Sequence, residues 1–196
     1  QVQAQVRDWR AWEAAQEGLI REPKLLRVHF YGDNLRARTV HSLALMLGKH
    51  ANALGLHLEG MFFGGPYKEC AQPSPELYRA LSEQEGVTSL HIANSGLGTP
   101  ANVVYLTRVQ KERYPETFAF TPEEPPGSHE AMTHWPERFG RGHGFYYKDG
   151  IIMHPLPRAG DLSPEVDTLK QARYFEQAKN GLWVRMALLE FLLEHH

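Results

Sequence analysis

Short apolar runs alternate with amphipathic stretches along most of the chain. Each apolar run is typical of a buried strand, and the runs lie at residues 25–31, 58–63, 89–92, 103–107 and 151–153. Val40, Leu43 and Leu47 recur at helical spacing and share one face of a helix predicted over residues 38–50. Strands and helices in alternation predict a three-layer, Rossmann-like α/β domain, with a parallel sheet and helices on both faces.

Start and stop signals define the other helices. Ser74 and Pro75 are typical of an N-cap and a first helical position, and Gly86 is predicted to end that helix after Glu85. Ser163-Pro164 predicts a short helical turn. A first helix is predicted over residues 2–18, and a last helix over residues 180–192 is apolar on more than one side. These two helices carry more apolar surface than one small sheet needs.

Residues 114–150 are rich in proline and glycine. This segment is predicted to be mostly loop, with a short helix around Glu130. Long loops in compact domains are often lids or binding loops.

Composition excludes several classes of protein. The chain has 196 residues, 42% of them hydrophobic and 22% charged, with a formal net charge of -2. A nucleic-acid-binding protein would be distinctly basic, and no apolar run approaches the roughly 18 residues of a membrane helix. No signal peptide is visible, and the single Cys70 excludes an internal disulfide and fits a reducing compartment. We therefore expect a cytoplasmic protein that binds neither nucleic acid nor membrane.

Both ends of the chain look artificial. The sequence starts at Gln1 without a methionine, and residues 193–196 resemble the beginning of a C-terminal polyhistidine tag. We expect the two terminal histidines to belong to such a tag and not to a functional site.

Metal and cofactor motifs are not expected. His129 and His134 are five residues apart, which on a helix points them about 140° apart and away from a shared zinc ion. Gly96-Leu97-Gly98 lacks the third glycine and the preceding strand of a dinucleotide-binding loop. The sequence predicts neither a metal nor a cofactor.

Two segments that follow strands carry candidate anion-binding groups. Arg38 and Thr39 lie at a predicted helix N-terminus, where free N–H groups and the helix dipole favour an anion. Alternatively, Arg38 is paired with Asp33. Arg108 and Gln110 follow the most strand-like segment, and Glu112, four residues on, can orient the Arg108 guanidinium. The alternative for this second segment is a solvated charged turn.

The segment His154-Pro155-Leu156-Pro157-Arg158 follows the last predicted strand. Two prolines restrict the backbone around Leu156 and leave carbonyl groups free to accept hydrogen bonds. Because ligands bind at the carboxyl ends of strands in open α/β sheets, these segments predict one site for an anionic small molecule.

Four ordered motifs resemble the aspartate carbamoyltransferase family. They cover about residues 13–192 with gaps, and they are Arg38-Thr39-Val40-His41-Ser42-Leu43, Thr107-Arg108-Val109-Gln110-Lys111-Glu112-Arg113, His154-Pro155-Leu156-Pro157-Arg158 and Tyr174-Phe175-Glu176-Gln177-Ala178-Lys179-Asn180-Gly181. Ornithine carbamoyltransferases have a similar fold but resemble a His-Cys-Leu-Pro pattern where this chain has His154-Pro155-Leu156-Pro157.

The resemblance implies a site for L-aspartate. Arg38, Arg108 and Gln110 match residues that bind the carboxylates of aspartate, and the carbonyls of Pro155 and Leu156 match groups that contact the carbamoyl nitrogen. Thr39 is included with the substrate-binding residues, and His154, Arg158 and Glu112 are expected to support them. The implied reaction is attack of the aspartate amine on carbamoyl phosphate, without a cofactor or metal. Trimers with shared sites are typical of the family, so a homotrimer or larger assembly is expected, with other pyrimidine-pathway subunits as further candidates.

The resemblance also implies a division of the chain. Residues 1–22 would be the helix leaving a carbamoyl-phosphate domain, residues 23–180 the aspartate-binding domain, and residues 181–192 the C-terminal helix. The Ser-Thr-Arg-Thr loop of the carbamoyl-phosphate domain does not occur in these 196 residues. We therefore expect no catalysis by this chain without such a domain. The alternatives are a non-catalytic amino-acid-binding or regulatory relative and a transcarbamoylase for another amino acid.

Three positions or segments depart from the family pattern. Leu35 and Ala37 stand where the family has lysine and glycine, with Arg36 as the candidate substitute for the lysine. Residues 114–153 are about ten residues longer than usual, in the region of the mobile aspartate-binding loop.

Overall fold

The computed structural model describes residues 24–54, 56–92, 101–116, 146–158, 162 and 164–194. Five strands form one sheet: β1 Lys24–Tyr31, β2 Leu56–Gly64, β3 Leu90–Ile92, β4 Ala101–Leu106 and β5 Tyr146–Met153. The helices are α1 Arg38–His50, α2 Lys68–Ala71, α3 Pro75–Ser82 and α4 Tyr174–Glu194. Short 3-10 turns occur at Asn52–Leu54, Lys111–Arg113 and Pro164–Thr168.

The sheet is parallel throughout, with strand order β3-β2-β1-β4-β5. The chain builds outward from β1 to β3 and then returns to the other side of β1 with β4. This reversal between β1 and β4 creates a crevice at the carboxyl ends of the strands, which is where open α/β sheets bind ligands. The predicted parallel α/β fold is confirmed.

Alternation along the strands divides the buried side chains between two faces of the sheet. Leu26, Val28 and Phe30 of β1 belong to one cluster, in which Phe30 stacks on Phe63 with ring centroids 5.2 Å apart. A second cluster contains Val104 and Ile152 together with side chains from the C-terminal segment, namely Leu162, Val166 and Tyr174. Truncating a buried aromatic such as Phe30 to alanine is expected to cost about 3–5 kcal/mol.

The start and end of α1 and the start of α3 agree with the sequence-based prediction. Helix α1 has the predicted bounds, and Ser74 caps α3 by accepting a hydrogen bond from the Leu77 N–H at 3.2 Å. However, α3 ends at Ser82, before the predicted Glu85. Gly86 has a packing role, because a Cβ there would lie 2.2 Å from the Gly48 carbonyl oxygen.

Two other predicted boundaries were wrong. Helix α4 begins at Tyr174, because the buried Tyr174 side chain packs in the second cluster, and it continues through Gly181. Strand β5 begins at Tyr146 and includes residues predicted as loop. Two steps along β4, from Ala101 to Val103, match five steps along β5, from Tyr146 to Ile151. Strand β5 therefore has three more residues than β4 in this part of the ladder. The predicted helices at residues 2–18 and around Glu130 lie outside the described residues.

In the described part of the chain, no helix combines the length and apolar character that a membrane crossing requires.

Candidate functional site

Three turns lie at the carboxyl edge of the sheet, after β1, β4 and β5. Gly32 begins the first turn with φ +131°, and its N–H donates to the Gly64 carbonyl at 3.0 Å. A Cβ on Gly32 would lie 2.0 Å from the Thr107 carbonyl oxygen. Only glycine therefore allows the turn after β1 to lie so close to the turn after β4.

Asp33 joins the first two turns and is fully buried. Its carboxylate accepts hydrogen bonds from the Tyr114 hydroxyl at 2.8 Å, and from the N–H groups of Arg36 at 3.0 Å and Gln110 at 3.1 Å. Its own N–H donates to Thr107 Oγ1 at 3.1 Å. Three donors for one carboxylate compensate its burial and set the position of Gln110.

Asn34 connects the first turn to the neighbouring elements. Its side-chain amide donates to the carbonyls of Phe30, Gly64 and Ala71 at 3.2, 2.8 and 2.6 Å. Sequence analysis missed both Asp33 as the central group and Asn34. Short polar residues directly after a buried strand were the available signal.

Arg38 and Thr39 occupy the first turn of α1, and both side chains are exposed. The N-cap Ala37 provides no side-chain acceptor, so the first N–H groups of this helix lack a side-chain cap. The alternative pairing of Arg38 with Asp33 is not observed, since the carboxylate bonds elsewhere. This helix start keeps donors and a cation available for an anion.

Arg108 lies in the turn after β4, where Glu112 holds its guanidinium. Arg108 Nη1 donates to Glu112 Oε2 at 3.0 Å, and Nη2 makes a second contact with Oε1. The hydrogen bond from Arg108 lowers the pKa of the Glu112 carboxyl. The predicted contact four residues apart is confirmed, and it orients Arg108 at the edge of the sheet.

The turn after β5 has an unusual backbone. Leu156 adopts φ +48°, a left-handed conformation that is rare for a leucine, and the Leu156–Pro157 peptide bond is cis. The Leu156 N–H donates to Nδ1 of buried His154 at 2.9 Å. Among the described residues, no backbone hydrogen bond to the carbonyls of Pro155 and Leu156 is seen.

Arg158 is anchored by Asp167 and Tyr174. Its guanidinium forms two hydrogen bonds with Asp167, at 2.6 and 2.9 Å, and lies 5.9 Å from the ring centre of Tyr174. Burial raises the pKa of Asp167, but hydrogen bonds from Tyr174 and Arg158 outweigh it, so that pKa is lowered. The geometry gives Arg158 a role in holding the turn.

Arg36, the candidate substitute for the family's lysine, and the departure at Ala37 have local explanations. The Arg36 guanidinium lies 4.3 Å from the ring centre of Tyr114 and donates to the Arg113 carbonyl. Ala37 has φ -72°, which alanine adopts without strain. Neither change therefore disturbs the turn that contains Asp33.

Comparison with known proteins finds carbamoyltransferases that are similar to this chain. Residues 144–192 match the family model described as "Aspartate/ornithine carbamoyltransferase, Asp/Orn binding domain". The aspartate carbamoyltransferase catalytic subunit of Methanopyrus kandleri is 35% identical over 168 residues, which cover 86% of this chain and 49% of that protein.

The chain is similar to the aspartate/ornithine carbamoyltransferase family over most of its length.

Two solved carbamoyltransferase structures share its fold. The catalytic subunit of M. jannaschii aspartate transcarbamoylase has a TM-score of 0.61 and 28% identity, over 91% of this chain and 52% of that one. The Trypanosoma cruzi enzyme, in complex with carbamoyl phosphate and aspartate, has a TM-score of 0.62 and 26% identity, over 86% of this chain and 48% of that one. The chain spans about half the length of the curated relatives it matches.

Proposed function

We propose that this chain supplies the aspartate-binding half of an aspartate carbamoyltransferase, which converts carbamoyl phosphate and L-aspartate to N-carbamoyl-L-aspartate and phosphate in pyrimidine biosynthesis. The observation that carries the proposal is the arrangement of three turns, after β1, β4 and β5, at one edge of the sheet. Each turn offers a different group to a substrate: a helix start with Arg38, an oriented Arg108, and the carbonyls of Pro155 and Leu156.

Two cations suit a dicarboxylate. A guanidinium can form two parallel hydrogen bonds with one carboxylate, so Arg38 and Arg108 would each bind one carboxylate of aspartate. Gln110, whose backbone is tied to Asp33, and Thr39 would add hydrogen bonds. The relative from Trypanosoma cruzi, in complex with carbamoyl phosphate and aspartate, supports this choice of substrates.

Carbonyl groups suit the carbamoyl nitrogen. The oxygens of Pro155 and Leu156 would accept hydrogen bonds from that NH2 group and orient the carbamoyl carbon for attack. The neutral amine of aspartate then adds to this carbon, and the tetrahedral intermediate releases phosphate. The contribution of this chain is positioning of the two reactants, without a covalent intermediate on any of its residues.

Carbamoyl phosphate would be held mainly by a separate carbamoyl-phosphate domain. Helix α4 offers a surface for that domain, because its large apolar side chains are exposed, among them Leu182, Val184, Leu188, Leu189, Phe191 and Leu193. Apolar surface of this extent marks an interface. Packing of α4 on that domain, a homotrimeric or larger assembly and a cytoplasmic location are parts of the same proposal.

Titration calorimetry with L-aspartate tests the binding half of the proposal. The wild-type chain is expected to bind weakly, and Arg108→Ala to abolish the heat of binding, because one carboxylate loses its guanidinium. Equal affinity in the two proteins would contradict the site.

Turnover tests the catalytic half. The chain alone is expected to form no carbamoyl-aspartate, and addition of a carbamoyl-phosphate domain is expected to produce it. Turnover by the chain alone would contradict the division of the site. Aspartate binding without any turnover in the assembled protein would favour a non-catalytic relative.

A further inference from the structure

Gln177 connects helix α4 to the turn that follows β5. Its backbone continues the helix, with the N–H donating to the Arg173 carbonyl at 2.8 Å. Its side-chain oxygen Oε1 accepts a hydrogen bond from the His154 N–H at 3.1 Å. His154 is the first residue after the strand, so Gln177 fixes the point where the chain leaves the sheet.

The position of His154 determines the backbone of the next two residues. Its ring nitrogen Nδ1 accepts from the Leu156 N–H, and the ring is 2% exposed. This contact holds Leu156 in its left-handed conformation and thereby sets the direction of the Pro155 and Leu156 carbonyls.

We propose that Gln177 is a positioning residue that sets the direction of the Pro155 and Leu156 carbonyls. This inference rests on the proposed function, because these carbonyls belong to the proposed substrate site. Gln177 itself need not touch either substrate. Its side-chain oxygen orients the turn by holding the His154 N–H.

Two substitutions separate positioning from general stability. Gln177→Leu has a similar size but no acceptor, whereas Gln177→Glu keeps an acceptor oxygen for the His154 N–H. Lys179→Ala, at an exposed position of the same helix, serves as the control. Amide hydrogen exchange of this chain reports the His154 and Leu156 N–H groups individually, and calorimetry reports L-aspartate binding.

Gln177→Leu is expected to accelerate exchange at His154 and Leu156 by about tenfold, as for loss of one hydrogen bond, and to weaken aspartate binding by several-fold. Gln177→Glu should keep both the exchange rates and the aspartate affinity within about twofold of wild type, because its carboxylate oxygen still accepts the hydrogen bond from the His154 N–H. The inference is overturned if wild type binds aspartate and Gln177→Leu matches Lys179→Ala in exchange or in affinity. Absence of aspartate binding to wild type would instead overturn the proposed function.

Discussion

The Tyr114 hydroxyl donates a hydrogen bond of 2.8 Å to Oδ1 of Asp33, a residue 81 positions earlier in the chain. Burial, followed by the hydrogen bond to Asp33 and its charge, raises the pKa of Tyr114 above the usual tyrosine value, so the phenol stays a donor across the working pH range. The pair joins the turn after β1 to the segment that follows Arg108. The two turns therefore form one structural unit at the crevice.

Asp33→Asn tests whether this carboxylate organises the unit. The amide replaces an acceptor oxygen by a donor and removes the charge, so at least one of the three donors loses its partner. We expect the free energy of unfolding to fall by about 2–4 kcal/mol, measured by urea denaturation. Tyr114→Phe, which removes only one donor, should cost about 1–2 kcal/mol. Equal stability of Asp33→Asn and wild type would show that the network does not depend on the charge.

Glu112→Gln tests the orientation of Arg108. The amide keeps the shape of the side chain but loses the charge that holds the guanidinium. Aspartate affinity is expected to fall by roughly three- to tenfold, which is less than for Arg108→Ala and corresponds to loss of one charge-assisted contact. Calorimetry measures the change, with the exposed Glu83→Gln as the control. An affinity unchanged by Glu112→Gln would mean that Arg108 is oriented by other contacts.

The buried ring of His29 predicts that the free energy of unfolding falls as the pH is lowered. Its ring is fully buried, and in the described part of the chain neither ring nitrogen has a hydrogen-bond partner. Burial, assisted by the charge of Arg27, lowers the pKa of His29 from 6.5 to about 3. The unfolded chain therefore binds the proton first as the pH falls, and stability is lost between about pH 6.5 and pH 3.

The expected slope for this one group is up to about 1.4 kcal/mol per pH unit within that window. His29→Phe, which packs against Phe62 without a titrating group, should remove this component from the pH profile of urea denaturation. His91→Phe, at an exposed ring stacked on the other side of Phe62, should keep it. An unchanged slope in His29→Phe would assign the acid sensitivity to other groups.

Cys70 is predicted to be unreactive in the folded protein. Burial raises the pKa of its thiol to about 12, so almost no thiolate is present near neutral pH. A thiol reagent at pH 8 is expected to react at least about a hundredfold more slowly with the folded chain than with the denatured chain. The denatured chain should react with one equivalent of the reagent, since the sequence has a single cysteine. Rapid reaction in the folded state would show that the turn beside Asn34 opens.

The exposed apolar side of α4 predicts association. In the absence of a carbamoyl-phosphate domain, the chain should self-associate with increasing concentration in sedimentation velocity. Leu189→Glu should weaken this association without lowering the melting temperature, because Leu189 is 59% exposed. The exposed Lys179→Ala should leave it unchanged. A monomer at all concentrations would contradict an interface role for α4.

Local patterns were sufficient for most elements of the fold. Apolar runs found all five strands, and helix α1 has the bounds that its periodicity predicts. Contacts between distant residues explain where the prediction failed. Helix α4 starts earlier than predicted because Tyr174 packs in the second cluster. Gly86 is placed by its packing, because its Cα lies so close to the Gly48 carbonyl oxygen that a Cβ would not fit. Neither contact is visible from neighbours in sequence.

The sequence by itself determined the parallel α/β class, the three segments that follow strands, and the chemical groups they carry, because periodicity and side-chain type are local properties. Only the tertiary structure decided how those groups are held. Asp33 binds Gln110 and Tyr114, not Arg38, and Gln177 holds His154. These partners are separated by 23 to 81 residues, so strand order and packing brought them together, and no local pattern records such a pairing.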